Sequence, residues 1–131
     1  MLLKLLKKRF NKQLQESSLE NTNKYSLEGK KKHCKVVKVY DGDTITINMR
    51  VHNKIYQYNI RLLGYDTPEI RTKDLDEKKA GYVARDFLSN LLMEKIVIIK
   101  CGGFDKYGRL LGEIYLSKKD YKLNNSINLL M

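Results

Sequence analysis

The sequence predicts a mainly β fold with helices (α+β), in which five short strands close into a small barrel that helices cap. Apolar residues alternate with polar ones between about residues 34 and 62, which is the period of strands. After Pro68 the apolar residues recur every three or four positions, which is the period of a helix. Five short strands in an open sheet would leave unpaired edges, so closure into a barrel is favoured.

Three strands joined by short turns are predicted before the helix. The turn at residues 52–54 joins the second strand to the third. The apolar residues that alternate with polar partners in these strands are Val37, Val39, Ile45, Ile47, Met49, Val51, Tyr56, Tyr58, Ile60 and Leu62.

The second half of the domain is predicted to contain one long helix and two more strands. We expect the helix over residues 80–92 and a short apolar strand over 96–99. The glycine pair at 102–103 should end that strand, and a last strand should run over 110–116. A final helix should start at Ser126, close to the last residue of the sequence, and so be truncated.

The chain of 131 residues has room for one domain, which we place at residues 33–131, after a basic extension and linker at residues 1–32. Residues 1–12 form a basic amphipathic pattern. This pattern has four interpretations: a helix on anionic lipid, a nucleic-acid arm, a targeting segment or a frayed extension. We therefore predict only a weak membrane or targeting role for it.

A net charge of +11 and an isoelectric point near 9.6 favour a polyanionic partner. Nucleic acid, as DNA or RNA, is the leading partner, and a membrane surface is second. Cys34 and Cys101 lack the paired spacing of a zinc site and are predicted to be free thiols. No signal peptide or membrane-spanning run is apparent, so we expect an intracellular location, cytoplasmic by default. We also expect a monomer.

Four polar clusters fall at predicted strand ends or in loops. They are residues 41–44, Arg61, residues 66–69 and residues 105–109. Functional groups usually lie on loops that a rigid scaffold holds, whereas carboxylates needed only for solubility would be scattered. Each cluster alone is equally typical of a turn or a surface ion pair. Their grouping favours a site.

The residue types in these clusters suit phosphodiester hydrolysis. The reaction adds negative charge to phosphoryl oxygens, and an arginine can donate two parallel hydrogen bonds to them, so Arg61 and Arg109 are candidates. Oxygen ligands from Asp43, Asp66 and the Thr67 carbonyl suit a hard divalent cation. An EF-hand is excluded, since the loop that begins at Asp41 lacks the required glycine and the final glutamate.

Glu69 is the candidate general base. It lies three residues after Asp66, across Pro68, so one loop can present a metal ligand and a base on the same side. Pro68 fixes its own φ and pushes Thr67 toward an extended conformation, which holds the two carboxylates apart.

The order of these clusters resembles the staphylococcal nuclease (thermonuclease-like) family. Residues 39–44 look like the first motif of that family, residues 60–69 look like its second, and residues 105–109 match its third. The resemblance covers about residues 34–131. It implies a five-stranded OB-fold barrel with calcium bound by Asp43, Asp66 and the Thr67 backbone oxygen. Oxygen ligands alone can bind either calcium or magnesium, so the preference for calcium over magnesium rests on the resemblance.

The resemblance also implies what the remaining motif residues do. Arg61 and Arg109 would contact the scissile phosphate, Glu69 would be the general base, and Lys106 and Tyr107 would contact a second phosphate. The expected function is a calcium-dependent endonuclease that leaves 3′-phosphate ends. The alternative is a binding module of the same fold with weak or no catalysis. Such modules typically lose a motif carboxylate or arginine, and none is lost here.

Overall fold

Five strands form a closed barrel in the computed structural model, which describes residues 1–131. The strands are β1 (Lys31–Val39), β2 (Thr44–Val51), β3 (Lys54–Leu62), β4 (Ile96–Phe104) and β5 (Leu110–Tyr115). Their order around the barrel is β1-β2-β3-β5-β4, and β4 pairs with β1. Only β3 and β5 are parallel; the other neighbours are antiparallel. The predicted α+β barrel is confirmed.

Three α-helices and one short 3₁₀ helix accompany the barrel. They are α1 (Leu2–Glu16), α2 (Leu75–Leu92), α3 (Lys118–Lys122) and the 3₁₀ helix Ile127–Leu130. The Asp74 carboxylate begins α2 by accepting the N–H groups of Asp76 and Glu77, which satisfies donors that have no partner inside the helix. No helix in residues 1–131 is both long and apolar enough to cross a membrane.

The core fills the barrel and extends beneath α2. Ile45, Ile47, Ile60, Leu62, Ile99, Leu110 and Ile114 are fully buried on the strands. Leu88 and Leu92 of α2 belong to the same cluster of buried apolar residues. Burial of one such side chain contributes about 1.5–3 kcal/mol, so this cluster is the main source of stability for the scaffold that carries the loops.

The structure corrects several predicted boundaries. A register shift between Val36 and Lys38 changes the alternation in β1, so Val36 is buried and Val37 is only half-buried. The glycine pair at 102–103 does not end β4, which continues to Phe104 through a second register shift. A β-bulge can absorb an extra residue without ending a strand. The helix predicted from Ser126 is a four-residue 3₁₀ helix.

The first part of the chain is also more structured than predicted. α1 extends to Glu16, β1 begins at Lys31, and Leu27 is buried in the core. The Gly29 N–H donates to the Cys101 carbonyl at 2.7 Å. Contacts with the barrel therefore begin a few residues before residue 33, and the division of the chain at that point stays a prediction.

Both cysteines lie inside the barrel. Cys34 and Cys101 are buried and form no disulfide. Burial, with a smaller contribution from Cys101, raises the pKa of the Cys34 thiol to about 12, so this thiol is protonated at neutral pH.

Candidate active site

A polar cavity of about 420 Å³ lies at the end of the barrel where β2 and β5 begin and β3 ends. It is lined by Tyr40, Asp41, Asp43, Thr44, Arg61, Asp66, Glu69 and Arg109. Five of the side chains predicted from the sequence therefore meet in one place. They come from segments that are up to 66 positions apart in the chain, counted from Asp43 to Arg109.

Strand pairing explains why these residues converge. Thr44 of β2 pairs with Arg61 of β3, and Arg61 pairs with Leu111 of β5. Asp43 immediately precedes β2, and Arg109 immediately precedes β5. Neighbouring strands are about 4.8 Å apart, so these registers place one carboxylate and two guanidinium groups at the same barrel end.

The guanidinium of Arg61 is fixed by contacts to backbone and to carboxylates. Its Nη1 donates to the carbonyl oxygens of Leu62 at 2.7 Å and Tyr65 at 3.0 Å. Its Nη2 donates to the Asp66 carboxylate and lies 3.4 Å from Asp43 Oδ2. The Arg61 side chain is 18% exposed, whereas that of Asp66 is 92% exposed. The carbonyl contacts therefore hold Arg61 in place, and the exposed pair with Asp66 contributes little.

Asp41 and Asp43 form a buried acidic pair. The Asp43 N–H donates to Asp41 Oδ1 at 3.0 Å, and both residues are buried. Burial raises the pKa of Asp41 to about 6, and the side chain of Asp43 adds to the rise. The sequence placed Asp41 in the first polar cluster but assigned it no role of its own, since Asp41 and Gly42 are also typical of a turn. The sequence shows that Asp41 and Asp43 are two positions apart, but it does not show that both carboxylates are buried side by side.

The two loops that carry the aspartates pack closely on each other. The Thr67 N–H donates to Asp43 Oδ2 at 3.3 Å, and the Tyr65 hydroxyl donates to the Gly42 carbonyl at 2.8 Å. A Cβ at Gly42 would lie 2.7 Å from Thr67 Cγ2 and 2.8 Å from the Cβ of Ala84 in α2. Only glycine fits there, so the loops and α2 are held in a fixed arrangement.

Glu69 is positioned by the first turn of α2. The Glu69 N–H donates to Glu77 Oε1 at 3.3 Å, and the Thr72 hydroxyl donates to Glu77 Oε2 at 3.3 Å. The sequence did not reveal this role of Glu77. Acidic residues are common in the first helical turn, because they interact well with the helix dipole, and that pattern gives no sign of a contact to a preceding loop.

Arg109 is held by its own loop and by β2. Its Nε donates to Asp105 Oδ2 at 2.8 Å, and its Nη1 donates to Thr44 Oγ1 at 3.4 Å. The Thr44 hydroxyl in turn donates to Asp43 Oδ1 at 3.0 Å. Desolvation acts to raise the pKa of Asp105, but the hydrogen bonds from Arg109 and Tyr107 and the positive charge of Arg109 together outweigh it, so the pKa is lowered. Thr44 thus links the Arg109 loop to Asp43.

A family model described as "Staphylococcal nuclease homologue" matches residues 59–131, which is more than half of the chain. This chain belongs to the staphylococcal nuclease family. The resemblance noted from the motifs is therefore confirmed, and the matched segment includes Arg61, Asp66, Glu69 and Arg109.

Curated proteins with similar sequences include two whose names denote nucleases. An uncharacterized protein of Methanocaldococcus jannaschii is 36% identical, over 73% of this chain and 54% of its own length. An "Uncharacterized endonuclease" of Haemophilus influenzae is 32% identical, over 71% and 47%. The "Thermonuclease" of Staphylococcus hyicus is 33% identical, over 65% and 49%. The chain spans about half the length of the curated relatives it matches.

The third motif of this staphylococcal nuclease family member extends outside the cavity. Neither Lys106 nor Tyr107 lines it, and Tyr107 is 72% exposed. The Tyr107 ring centroid lies 5.1 Å from Lys106 Nζ and 5.5 Å from Arg109 Cζ, which are cation–π distances. Tyr107 thus lies beside both Lys106 and Arg109, and the predicted contact of Lys106 and Tyr107 with a second phosphate stays a prediction.

The oxygen donors of the cavity are compatible with a hard divalent cation. Asp43 and Asp66 approach the same nitrogen of Arg61. Thr67, the third predicted ligand, does not line the cavity, and its buried hydroxyl oxygen has no hydrogen-bond partner. No group of three or more His, Cys, Asp or Glu side chains in residues 1–131 is arranged to hold a metal ion. An ion bound here would need backbone oxygens or water to complete its coordination, which is common for calcium.

Proposed function

We propose that this protein is a calcium-dependent nuclease that hydrolyses phosphodiester bonds of DNA or RNA and leaves 3′-phosphate ends. The proposal depends on one observation: two arginines and four carboxylates from distant parts of the chain line a single cavity of about 420 Å³. The names of the relatives and the net charge of +11 support the same substrate class.

Arg61 and Arg109 bind the scissile phosphate in this proposal. Negative charge on the phosphoryl oxygens grows as water attacks, and donors that are already oriented lower the barrier without reorganising. Arg61 meets that requirement, since two backbone carbonyls fix its guanidinium. One such donor is worth about 3–4 kcal/mol of transition-state stabilisation.

Glu69 accepts the proton of the attacking water as the new P–O bond forms. The bond from phosphorus to the 5′ oxygen breaks, and that oxygen leaves as a hydroxyl after taking up a proton from solvent. A positioned general base contributes about 10²- to 10⁴-fold. Glu69 is exposed to the cavity while its backbone is anchored to Glu77, so the base is accessible and its loop is held.

Asp43, Asp66 and the Thr67 backbone oxygen would hold calcium. The ion would supply Lewis-acid polarisation of a phosphoryl oxygen. Without it, Arg61 is the cation that faces both carboxylates. The choice of calcium over magnesium follows the family resemblance, and a cleavage assay with each ion tests it.

The test uses end-labelled single-stranded DNA and RNA with calcium, with magnesium or with a chelator. We expect cleavage with calcium and none with the chelator. Fragments with 3′-phosphate ends should change mobility after treatment with a phosphatase. The variants are Glu69→Gln and Arg109→Ala, and the matched controls are Glu20→Gln and Arg50→Ala, both at exposed positions that do not line the cavity.

Glu69→Gln should lower the cleavage rate by at least about 100-fold, and Arg109→Ala by about 100- to 1,000-fold. The controls should remain within about twofold of the unmodified protein. Metal-independent binding of the labelled strand without any cleavage would reject the enzyme and favour the binding module.

A further inference from the structure

α1 is a helix that the barrel does not cover. None of its residues is buried, and the core begins only at Leu27. Its side-chain hydrogen bonds and its one salt bridge, Lys12–Glu16 at 3.9 Å, stay within residues 1–21. Nothing in the barrel therefore stabilises this helix, and a polar segment separates it from Leu27.

Five of the six exposed apolar side chains of α1 lie on one side of the helix, and the sixth, Leu5, lies between Lys12 and Arg9. At 3.6 residues per turn, Leu2, Leu3, Leu6, Phe10 and Leu14 fall within an arc of about 120°. We call these five residues the apolar arc. Their exposed fractions run from 39% to 82%. An exposed contiguous apolar stripe marks a surface that contacts another apolar phase.

The charges of α1 are almost all positive. Its basic residues are Lys4, Lys7, Lys8, Arg9 and Lys12, and its one acidic residue is Glu16. By helical position, Lys7 borders one edge of the apolar arc and Arg9 borders the other, while the remaining lysines lie on the opposite side. Long basic side chains at such edges can extend toward phosphate while their methylene groups stay on apolar surface.

We propose that α1 binds the surface of an anionic lipid membrane, with the apolar arc at the boundary between headgroups and acyl chains and the basic residues on lipid phosphates. An amphipathic helix with basic edges and a Leu/Phe face is the arrangement that this environment favours. The proposal is independent of the proposed nuclease function, since no residue of α1 lines the cavity.

Charge and apolar area together favour a membrane over two other partners. A nucleic-acid strand would pair with the basic residues and leave the apolar arc in water. A second copy of α1 would cover the apolar arc, but it would bring the basic edges of two helices together, and each helix has only Glu16 to offset them. An anionic lipid surface satisfies both features at once.

The test measures co-sedimentation of the full chain with phosphatidylcholine vesicles that contain or lack phosphatidylserine. We expect sedimentation with the phosphatidylserine vesicles and a decrease as salt is added. The double variant Leu6→Ser with Phe10→Ser removes the middle of the apolar arc, and should lower the partition coefficient at least about tenfold. The matched control, Leu19→Ser with Leu129→Ser, removes two exposed leucines outside α1 and should remain within about twofold.

Three results would overturn the proposal. One is that the unmodified chain stays in the supernatant with phosphatidylserine vesicles. Another is that both double variants sediment equally well. The third is that the chain does not bind vesicles but binds single-stranded DNA or forms a dimer on size exclusion, and that the Leu6 and Phe10 substitutions abolish that interaction. Cleavage in solution is a separate readout, so failure here and failure of the proposed nuclease function are distinguishable.

Discussion

Replacing Arg61 by alanine should destabilise the protein as well as inactivate it. The change removes two charged hydrogen bonds, to the carbonyls of Leu62 and Tyr65, and leaves Asp43 without its nearest cation. Each charged bond contributes about 1.5–3 kcal/mol, and the lower value applies because the side chain is 18% exposed. We therefore expect a loss of at least about 3 kcal/mol, a large part of the 5–15 kcal/mol typical of a domain.

Arg109→Ala is the matched comparison. Arg109 is also predicted to be essential for cleavage, but its side chain is 30% exposed and its firm partner is Asp105 in the same loop. Its loss should cost about 1 kcal/mol. Urea denaturation with a chelator present measures both variants, provided that the m value is unchanged. If Arg61→Ala and Arg109→Ala have the same unfolding free energy, the carbonyl contacts of Arg61 do not stabilise the fold.

Three further predictions concern the neighbours of these arginines. The pKa of Asp41 in the folded protein is about 6, above its ordinary value of 3.8. The contribution of Asp41 to the free energy of unfolding therefore decreases as the pH rises from about 4 to 6, and it stays lower above pH 6. Asp41→Asn should therefore gain about 1–2 kcal/mol at pH 8 and nothing at pH 4 in urea melts with chelator, and equal stability at pH 8 would contradict this. Gly42→Ala should cost about 1–3 kcal/mol and lower cleavage, whereas Gly103→Ala, whose Cβ would meet nothing closer than 3.9 Å, should change neither. Glu77→Ala should lower kcat with little change in KM, because it frees the loop of Glu69; an unchanged kcat would refute that positioning role.

The parts of the fold that the sequence predicted are those with a clear period. The alternation in β2 and β3 and the 3.6-residue period of α2 were recognisable in the residues alone. The sequence did not show which residues of β1 face inward, because Val36 and Val37 are both apolar and either can do so. A register shift set by pairing with β2 decides between them. The short helix α3 was missed, because it depends on a cap in which the Asp120 N–H donates to Ser117.

The site was predicted to the extent that its residues form local motifs. The expectation that Arg61, Glu69 and Arg109 meet the aspartates agrees with the cavity, and their chemical roles stay predictions. The contacts that hold them are tertiary and were not foreseen. No periodicity or spacing in the sequence indicates that Asp41 is buried or that the Glu77 carboxylate accepts a hydrogen bond from the Glu69 N–H.

The parallel pairing of β3 with β5 determines when during synthesis the cavity can be completed. Asp43 and Arg61 are translated early and can meet within the β1–β3 meander, but Arg109 joins them only after β5 has left the ribosome and docked beside β3. Under the proposed function, a half-made chain has one of its two phosphate-binding cations. The cavity therefore gains its second guanidinium only when the barrel closes.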